Sequence, residues 1–230
     1  MSTTADELVL EMTGVSHAYR QSVALRGISL SVAAGEVVAI TGPSGCGKST
    51  LLHAAAGIVR PQGGTVRLLG QELSTMTEKA RTLLRRRRVG IVLQFGQLVP
   101  DLTVLDNVAL PLLLDGHDRA AARTTSAEWL DRVGLDAGHD ATPAELSGGQ
   151  SQRVAVARAL VTGPSIVFAD EPTGSMDTLG GELLLDLLVG AARERGAALV
   201  VVTHDNIVAA RADREVRLRD GVVETESVLL

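Results

Sequence analysis

Short apolar runs of strand length alternate along this chain with longer segments whose apolar residues recur at helical spacing. Seven of the short runs predict strands, at residues 8–12, 28–32, 36–42, 65–70, 89–94, 165–170 and 197–203. The longer segments predict helices at residues 51–59, 77–88, 104–114, 119–134 and 181–195. Near the end of the chain, residues 214–226 predict two more strands joined at Asp220 and Gly221, a pair typical of a tight hairpin turn.

This order of elements favours an α/β fold around a mostly parallel sheet, because parallel strands need crossover connections that are usually helices. Between about residues 96 and 160 the strand signals nearly disappear and helical periodicity dominates. We therefore expect one domain over residues 1–230, with this helical block inserted into the α/β core. A chain of 230 residues with 45% hydrophobic residues is long and apolar enough to bury such a core.

Composition narrows the classes of function. The formal net charge of −5 argues against general binding of nucleic acid, which itself carries a dense negative charge. Cys46 is the only cysteine, so an intramolecular disulfide and zinc cages of several cysteines are excluded. The first 15 residues lack the features of a signal peptide, and no apolar run approaches the roughly 18–20 residues that span a bilayer. A soluble cytoplasmic protein is the simplest expectation.

A glycine-rich loop between a predicted strand and a predicted helix is the strongest sign of chemistry. Residues 42–50 read GPSGCGKST and fit the phosphate-binding pattern G-x-x-x-x-G-K-[ST] at every fixed position. Glycines let the backbone turn its N–H groups toward phosphate oxygens, Lys48 reaches the outer phosphates, and the Ser49 hydroxyl can join a magnesium shell. The candidate phosphate-binding residues are Gly42, Pro43, Ser44, Gly45, Cys46, Gly47, Lys48, Ser49 and Thr50.

Polar residues at the ends of other predicted strands supply partners for this loop. Asp170 ends the run SIVFAD and is expected to hold magnesium. Glu171 follows it, and the alternation of strand side chains predicts that it points to the opposite face, as a general base for the attacking water. Gln94 and His204 also follow strands, and the carboxyl ends of parallel strands share one edge of the sheet. We therefore expect both near the phosphates, with Gln94 close to the magnesium ion or the water.

The stretch LSGGQ at residues 146–150 predicts a second anion-binding site. Ser147, Gly148 and Gly149 stand at the start of a helical segment, where N–H groups and the positive end of the dipole attract anions. Two adjacent glycines are costly in a helix, so their presence there needs an explanation. The local pattern does not explain why one chain would need two anion sites far apart in sequence.

These motifs, in this order, resemble those of the ATP-binding-cassette (ABC) family of nucleotide-binding subunits, and the resemblance runs from Leu8 to about Val223. The loop at 42–50 is similar to the family's Walker A motif, and residues 166–171 are similar to Walker B with its catalytic glutamate. Residues 146–150 resemble the signature, and the resemblance implies that Gln150 binds nucleotide together with Ser147, Gly148 and Gly149. Four single positions also match: Tyr19 for adenine stacking, Gln94 of the Q-loop, Asp177 of the D-loop and His204 as the switch histidine.

The resemblance implies both a fold and a reason for the second anion site. Members have a P-loop NTPase core of RecA type, an N-terminal antiparallel β subdomain and an inserted α-helical subdomain. Two cassettes dock head to tail, and each ATP with its Mg²⁺ is held between the Walker A loop of one copy and the signature of the other. The signature of this chain would therefore bind the nucleotide of a second copy, so a homodimer is expected.

Finer matches favour the subfamily of MacB, LolD and FtsE, since residues 94–116 resemble its Q-loop and EPTGSMD at 171–177 resembles its D-loop run. This implies an ATPase at the cytoplasmic face of the membrane, bound to a separate integral-membrane permease of the MacB or FtsX type. The work done would be export, lipoprotein release or mechanotransmission. The alternative is a soluble ABC-type ATPase of DNA repair or translation, but those proteins usually carry a long insertion or a second cassette.

Three features stay open at this level. Met176 and Ser151 depart from the residues usual in the D-loop and after the signature, which leaves open the strength of communication across the dimer. Residues 85–88 are four arginines, interpreted either as a solvated helix end or as a contact with anionic lipid or an acidic permease loop. The thiol of Cys46 is either reactive, because Lys48 and a helix N-terminus favour the thiolate, or buried and inert.

Overall fold

Strands and helices alternate in the computed structural model much as the sequence predicts, and the structure describes residues 8–20, 22–94, 96–136 and 138–229. The strands are β1 (Leu8–Tyr19), β2 (Ser22–Ala33), β3 (Val37–Thr41), β4 (Gly63–Leu68), β5 (Gln71–Glu72), β6 (Val89–Val92), β7 (Ile166–Asp170), β8 (Ala198–Val202), β9 (Arg214–Arg219) and β10 (Val222–Val228). The α-helices are α1 (Lys48–Ala55), α2 (Glu78–Arg88), α3 (Val104–Leu114), α4 (Arg119–Arg132), α5 (Gly148–Leu160), α6 (Thr178–Glu194) and α7 (Asn206–Ala209). None of the helices in the described ranges is both long enough and apolar enough to cross a membrane.

The strands form two sheets, which confirms the expected α/β fold with an antiparallel N-terminal part. One sheet has six strands in the order β10-β9-β3-β8-β7-β6, and only its β9–β10 pair is antiparallel. The other sheet has the order β2-β1-β4-β5 and is antiparallel throughout. Asp220 and Gly221 join β9 to β10 with φ values of 49° and 79°, which is the predicted tight hairpin turn.

The central strands of the six-stranded sheet are buried on both faces. Along β7, Val167 and Ala169 join a hydrophobic cluster with α3, α4, α5 and α6, whereas Ile166 and Phe168 join a second cluster with α1 and the antiparallel sheet. Successive side chains of a strand point to opposite faces, so each face needs its own apolar residues. This is why the central strands have continuous apolar runs in the sequence.

A block of helices connects β6 to β7, although these two strands are parallel neighbours in the sheet. α3, α4 and α5 lie in this connection, and the part of it that the structure describes contains no strand. Leu105, Val108, Leu130 and Val156 are among the buried residues through which the three helices pack. An inserted subdomain at about residues 96–160 stays a prediction, and the departure and return of the chain at adjacent strands supports it.

The structure departs from the predicted boundaries at glycines and helix caps. β1 and β2 have 12 residues each, because the strands continue through irregularities at Gly14 and Gly27, whose φ values are 60° and 75°. α1 begins at Lys48 rather than at residue 51, since Gly47 at the end of the phosphate loop is its N-cap. α6 begins at Thr178 rather than at residue 181, since the Asp177 carboxylate accepts a hydrogen bond from the N–H of its third residue (2.7 Å).

The four arginines at residues 85–88 bind other parts of the chain, so they are more than a solvated helix end. Arg85 donates to the Gly57 carbonyl (2.6 Å), and Arg88 donates to a serine hydroxyl ahead of β7 (3.1 Å). Arg86 and Arg87 both bind the carboxylate of Asp115, at 3.0 and 2.6 Å. The hydrogen bond from Arg87 holds the pKa of Asp115 below its ordinary value. The run therefore fixes the end of α2 against the end of α3 and the loop after α1.

Asn107 is completely buried and ties the loop before α3 to the start of that helix. Its Oδ1 accepts a hydrogen bond from the Val99 N–H (2.7 Å). Its Nδ2 donates to the carbonyls of Val99 (3.0 Å), Leu102 (3.2 Å) and Thr103 (3.1 Å). One side chain thus holds a loop of irregular backbone in place.

Replacing Asn107 by leucine, which has a similar volume, removes these hydrogen bonds and leaves buried backbone groups without their side-chain partner. We expect Asn107→Leu to lower the free energy of unfolding by about 2–4 kcal/mol, since an unpartnered buried polar group costs about 1–3 kcal/mol. Urea unfolding followed by circular dichroism measures the change. The control is Thr124→Ala, which removes only an exposed bond to the Ala120 carbonyl and should cost less than about 0.5 kcal/mol. An equally small effect of Asn107→Leu would contradict its role in holding the loop.

Candidate functional site

A cavity of about 610 Å³ opens at the carboxyl ends of the central parallel strands, next to the start of α1. It is lined by Tyr19, Ser22, Val23, Ala24, Ser44, Gly45, Gly47, Lys48, Ser49, Thr50, Gln94, Asp170, Glu171 and His204. The three catalytic candidates Gln94, Glu171 and His204 therefore lie together with Lys48, as a shared sheet edge predicts. Its volume is within the range of sites that bind small molecules.

Glycine at two positions lets the phosphate loop lie directly against neighbouring backbone. A Cβ atom on Gly42 (φ 141°) would come 2.2 Å from the Leu218 carbonyl oxygen, and one on Gly47 (φ 109°) would come 2.4 Å from the Ala24 carbonyl oxygen. No side chain fits at those distances. Gly45 (φ 78°) differs, because a Cβ there would meet nothing within 4 Å. The loop is thus a cradle of exposed backbone, which suits phosphate oxygens.

α1 directs its N-terminus at this cradle. Gly47 caps the helix without a side-chain hydrogen bond, so the first N–H groups can bind an anion, and the dipole favours negative charge there. Lys48 is only 9% exposed, and its Nζ donates to the carbonyls of Gly42 (2.8 Å) and Pro43 (3.0 Å). These bonds hold the ammonium group beside the cavity. Gly42 and Pro43 therefore position Lys48, and their own contact with phosphate stays a prediction.

Asp170 and Glu171 both line the cavity, which corrects the expectation that they point to opposite faces. β7 ends at Asp170, and Glu171 has a left-handed backbone (φ 46°), so strand alternation does not extend to it. The Glu171 N–H donates to the Val202 carbonyl on β8 (2.9 Å), which anchors this turn. Its Oε1 lies 2.8 Å from Nδ1 of His204, and the glutamate side chain is 15% exposed while the histidine is 74% exposed. A sheltered carboxylate is thus paired with an accessible imidazole.

The hairpin of β1 and β2 forms another wall of the first cavity, and of its residues the sequence predicted only Tyr19. Tyr19 is 49% exposed, and its ring contacts the ring of His17 edge to face, with centroids 4.7 Å apart. Ser22, Val23 and Ala24 also line the cavity but lie ahead of the strand predicted to start at residue 28. Pairing of Tyr19 with Ser22 across the hairpin places them there. A hairpin predicted at this position would have placed Ser22, Val23 and Ala24 beside Tyr19.

A second cavity, of about 520 Å³, contains the signature residues. It is lined by Asp136, Ser147, Gly148, Gly149, Gln150, Arg153, Ser175, Met176, Asp177, Leu179, Gly180 and Leu183. Asp136, Arg153 and Ser175 were not among the predicted site residues. Within one chain, the predicted residues of the signature and Asp177 do not join Lys48 and Glu171 in the first cavity.

The signature helix α5 begins with a capping box. The Ser147 Oγ accepts a hydrogen bond from the Gln150 N–H (3.2 Å), and the Gln150 Oε1 accepts one from the Ser147 N–H (2.8 Å). The Gln150 Nε2 donates to the Asp136 carboxylate (2.9 Å), and this bond holds the pKa of Asp136 below its ordinary value. Gly148 and Gly149 then present first-turn N–H groups that have no helical carbonyl partner and no side chain to cover them.

The D-loop lies against the start of α5. Ser175 donates through its hydroxyl to the Gly148 carbonyl (3.2 Å). A Cβ on Gly149 would lie 3.6 Å from Cγ of Met176, so the methionine packs beside the signature at ordinary contact distance. Asp177 is the N-cap of α6. The unusual methionine of this D-loop is thus a packing contact between α5 and the start of α6.

The thiol of Cys46 lies in the hydrophobic cluster between the two sheets. The residue is 5% exposed, and a Cβ on Gly42 would be 2.9 Å from its Sγ, so the thiol lies beneath the loop. Its carbonyl accepts a hydrogen bond from the Gly221 N–H (3.1 Å). Cys46 does not line the cavity, and its burial favours the inert thiol over the reactive one.

Comparison with known proteins finds a matching family and relatives that cover most of this chain. Residues 25–174 match the ABC transporter family. The chain is 47% identical over 202 residues to the lipoprotein-releasing system ATP-binding protein LolD of Bordetella pertussis, covering 88% of this chain and 87% of that protein. It is 46% identical over 203 residues to the uncharacterized ABC transporter ATP-binding protein YbbA of Escherichia coli, covering 88% and 89% of the two chains. A dimeric post-hydrolysis structure of the ATP-binding cassette MJ0796 with ADP and Pi has a TM-score of 0.92 at 37% identity, over 96% of this chain and 99% of that one.

Proposed function

The chain belongs to the ABC transporter family as an ATP-binding and ATP-hydrolysing subunit of the LolD, MacB and FtsE type, and we propose that it works as a head-to-tail homodimer on a separate membrane permease. The observation that carries the proposal is the separation of the two cavities. One holds the phosphate cradle and Glu171, and the other holds the exposed N–H groups of the signature helix. A second copy supplies the missing half of each site. The dimeric relative MJ0796 with bound ADP and Pi supports this assembly.

The residues of the first cavity fit MgATP. The N–H groups at the start of α1 and Lys48 would hold the phosphates, and the exposed Tyr19 would stack on adenine. Magnesium prefers oxygen ligands and often takes only one or two from the protein, which Ser49, Asp170 and Gln94 can provide. In the described part of the chain no cluster of three or more His, Cys, Asp or Glu side chains could hold a metal alone, which suits an ion that arrives with the nucleotide. Bound Mg²⁺ would neutralise charge on the outer phosphates.

Glu171 and His204 are placed for hydrolysis of the outer phosphate. Glu171 takes a proton from a water whose oxygen attacks the γ-phosphorus, while the bond from that phosphorus to the bridging β,γ-oxygen breaks. The His204 ring orients the Glu171 carboxylate at 2.8 Å and has a second nitrogen for a phosphate oxygen. In the partner copy, the N–H groups of Gly148 and Gly149 and the Ser147 hydroxyl bind the same phosphate from the other side.

The first test replaces the proposed base. Glu171→Gln keeps the shape of the side chain but cannot take the proton, so it should bind MgATP and hydrolyse it at least ~10²-fold more slowly. The ATP-bound dimer should accumulate and be visible by size-exclusion chromatography. Glu224→Gln on β10, which pairs with Arg217 and Arg219, is the matched control and should hydrolyse ATP normally. Turnover near the wild-type rate in Glu171→Gln would remove Glu171 from this role.

The second test asks whether the signature acts on the other copy. Gly149→Asp puts a carboxylate where the partner's γ-phosphate would lie, so charge repulsion should abolish dimerisation and hydrolysis. The first cavity is unchanged, so the monomer should still bind ATP, as measured by a fluorescent nucleotide analogue. The control is Gly149→Ala, which adds a carbon at ordinary contact distance from Met176 but no charge. It should therefore dimerise better than Gly149→Asp. Loss of ATP binding by the Gly149→Asp monomer would mean that the signature serves its own chain.

A groove of about 500 Å³ is suited to the permease. Its lining is Thr82, Arg85, Arg86, Val89, Ile91, Leu110, Pro111, Leu114, Arg158, Ala159 and Thr162. Leu114 at the end of α3 is 58% exposed, and the two arginines of α2 lie beside the apolar floor. Such a surface fits a cytoplasmic permease segment with apolar side chains next to acidic ones, which would place the cassette at the cytoplasmic face of the membrane.

The transported cargo is proposed from the relatives. LolD of Bordetella pertussis is named as the ATP-binding protein of a lipoprotein-releasing system, so lipoprotein release is the transport function that we favour for this chain. The relatives described above are named as ATP-binding proteins of transporters, so the alternative of a soluble ATPase of DNA repair or translation is set aside.

The docking surface is tested by Leu114→Asp. The leucine is already mostly exposed, so the variant should fold and the isolated cassette should hydrolyse ATP normally. A carboxylate on the apolar floor should abolish co-purification with a tagged permease partner. Val228→Asp, at an exposed position on β10 outside the groove, is the control and should still co-purify. Undiminished capture of Leu114→Asp would exclude this groove as the docking surface.

A further inference from the structure

We propose that His17 and Gln62 are positioning residues that fix the ring of Tyr19 before nucleotide binds, so that the adenine base meets a stacking surface already in place. The proposal rests on the stacking of adenine on Tyr19 proposed above. Tyr19 lines the first cavity, and about half of its surface is exposed. A half-exposed side chain that is free to rotate would lose that freedom on binding, which weakens affinity. A ring that is fixed in advance avoids this loss.

The ring of His17 supports the ring of Tyr19 from the side of the core. The two planes are 79° apart at a centroid distance of 4.7 Å, which is the edge-to-face geometry that aromatic pairs prefer. His17 is only 9% exposed and pairs across the hairpin with the fully buried Leu25. A Cβ on Gly47 would lie 3.3 Å from Cδ2 of Leu25, so the same packing reaches the phosphate loop. His17 is therefore a fixed support, because close packing leaves a buried ring little freedom.

The side-chain amide of Gln62 fixes the backbone between the two rings. Its Oε1 accepts a hydrogen bond from the Ala18 N–H (3.0 Å), and its Nε2 donates to the Ala18 carbonyl (3.1 Å). The Gln62 N–H also donates to the Ser16 carbonyl (2.9 Å). The register of β1 with β2 shifts between His17 and Ala18, so the pairing of these strands is irregular there. The amide thus supplies hydrogen bonds at the point where the ladder is weakest.

The aromatic contact is the interaction of the His17 ring that matters here. Its Nδ1 is buried and has no hydrogen-bond partner among the residues that the structure describes. A buried polar atom without a partner lowers stability, so this nitrogen does not account for the histidine. Phenylalanine has a ring without the nitrogen and should keep the contact with Tyr19. Leucine is apolar but has no ring, so it should lose the contact.

The test measures the dissociation constant of MgADP by titration calorimetry, which avoids both hydrolysis and the dimer that ATP favours. An edge-to-face pair is worth a factor of roughly 2 to 10 in an equilibrium constant. His17→Leu should therefore raise the Kd about fivefold, and Gln62→Leu, at an exposed position, should raise it about threefold. His17→Phe should keep the wild-type Kd. In ATP hydrolysis, His17→Leu should raise KM and leave kcat unchanged, because Glu171 and His204 are intact.

Two variants control for general damage to the antiparallel sheet. Val15→Ala opens a cavity at a fully buried position of β1, so it should lower the melting temperature and leave the Kd of MgADP unchanged. Gln71→Leu replaces an exposed glutamine of β5, which pairs with β4 and does not line the first cavity. This variant should also bind MgADP like the wild type.

A double-mutant cycle shows whether His17 acts through Tyr19. Tyr19→Ala removes the ring and should raise the Kd about tenfold, since stacking of a base on an aromatic side chain is worth about that much. Adding His17→Leu should then raise the Kd no further. If His17→Leu does not fold, Gln62→Leu takes its place in the cycle.

The outcomes separate this inference from the function on which it rests. A wild-type Kd in both His17→Leu and Gln62→Leu would overturn the positioning role, and so would losses in the cycle that multiply fully. A lower kcat with an unchanged KM in His17→Leu would also contradict it. A wild-type Kd in Tyr19→Ala would instead remove adenine stacking from the proposed function, and the positioning role would fail with it.

Discussion

Backbone packing at the phosphate loop is the constraint on which the rest of the site depends. The loop passes between the two sheets, with Gly42 against the Leu218 carbonyl of β9 and Gly47 against the Ala24 carbonyl of β2. Any larger residue at either position would push the loop away from one of the sheets. Because α1 starts directly after Gly47, that shift would also misalign Lys48 and the helix N-terminus that face the cavity.

The same packing joins the two halves of the nucleotide site. Tyr19 belongs to the antiparallel sheet, whereas Asp170 ends a strand of the six-stranded sheet and Glu171 follows it. The sheets meet at Gly221, whose carbonyl accepts a hydrogen bond from β2 (2.8 Å) and whose N–H donates to the Cys46 carbonyl in the loop (3.1 Å). The Tyr19 side of the cavity and the side with Asp170 and Glu171 are therefore built by different sheets, and one loop fixes the distance between them.

The sequence predicted those features that are set by neighbouring residues in the chain, and it missed those that are set by contacts with distant segments. Strands buried on both faces carry uninterrupted apolar residues, so β3, β7 and β8 were predicted close to their observed bounds, and α3 was predicted at residues 104–114. The β1–β2 hairpin was predicted too short, because glycines and exposed positions interrupt its alternation. The direction of Glu171 was predicted wrongly, since its left-handed turn depends on a hydrogen bond to Val202 on another strand. Contacts between distant segments leave no such local pattern.

Two helices in the described part of the chain, α2 and α5, hold neighbouring loops through arginine side chains. Three arginines on helices donate to backbone carbonyls of loops: Arg85, Arg153 and Arg158. A planar guanidinium can bind two carbonyls at a fixed angle, whereas an ammonium on a flexible stem fixes only a point. We propose the opposite requirement at the phosphate loop, because the charge there would exchange loop carbonyls for phosphate oxygens when nucleotide binds. Lys48, which holds two such carbonyls at 2.8 and 3.0 Å, meets that requirement. These three arginines thus hold loops in place, whereas the mobile ammonium of Lys48 suits a charge that changes its partners.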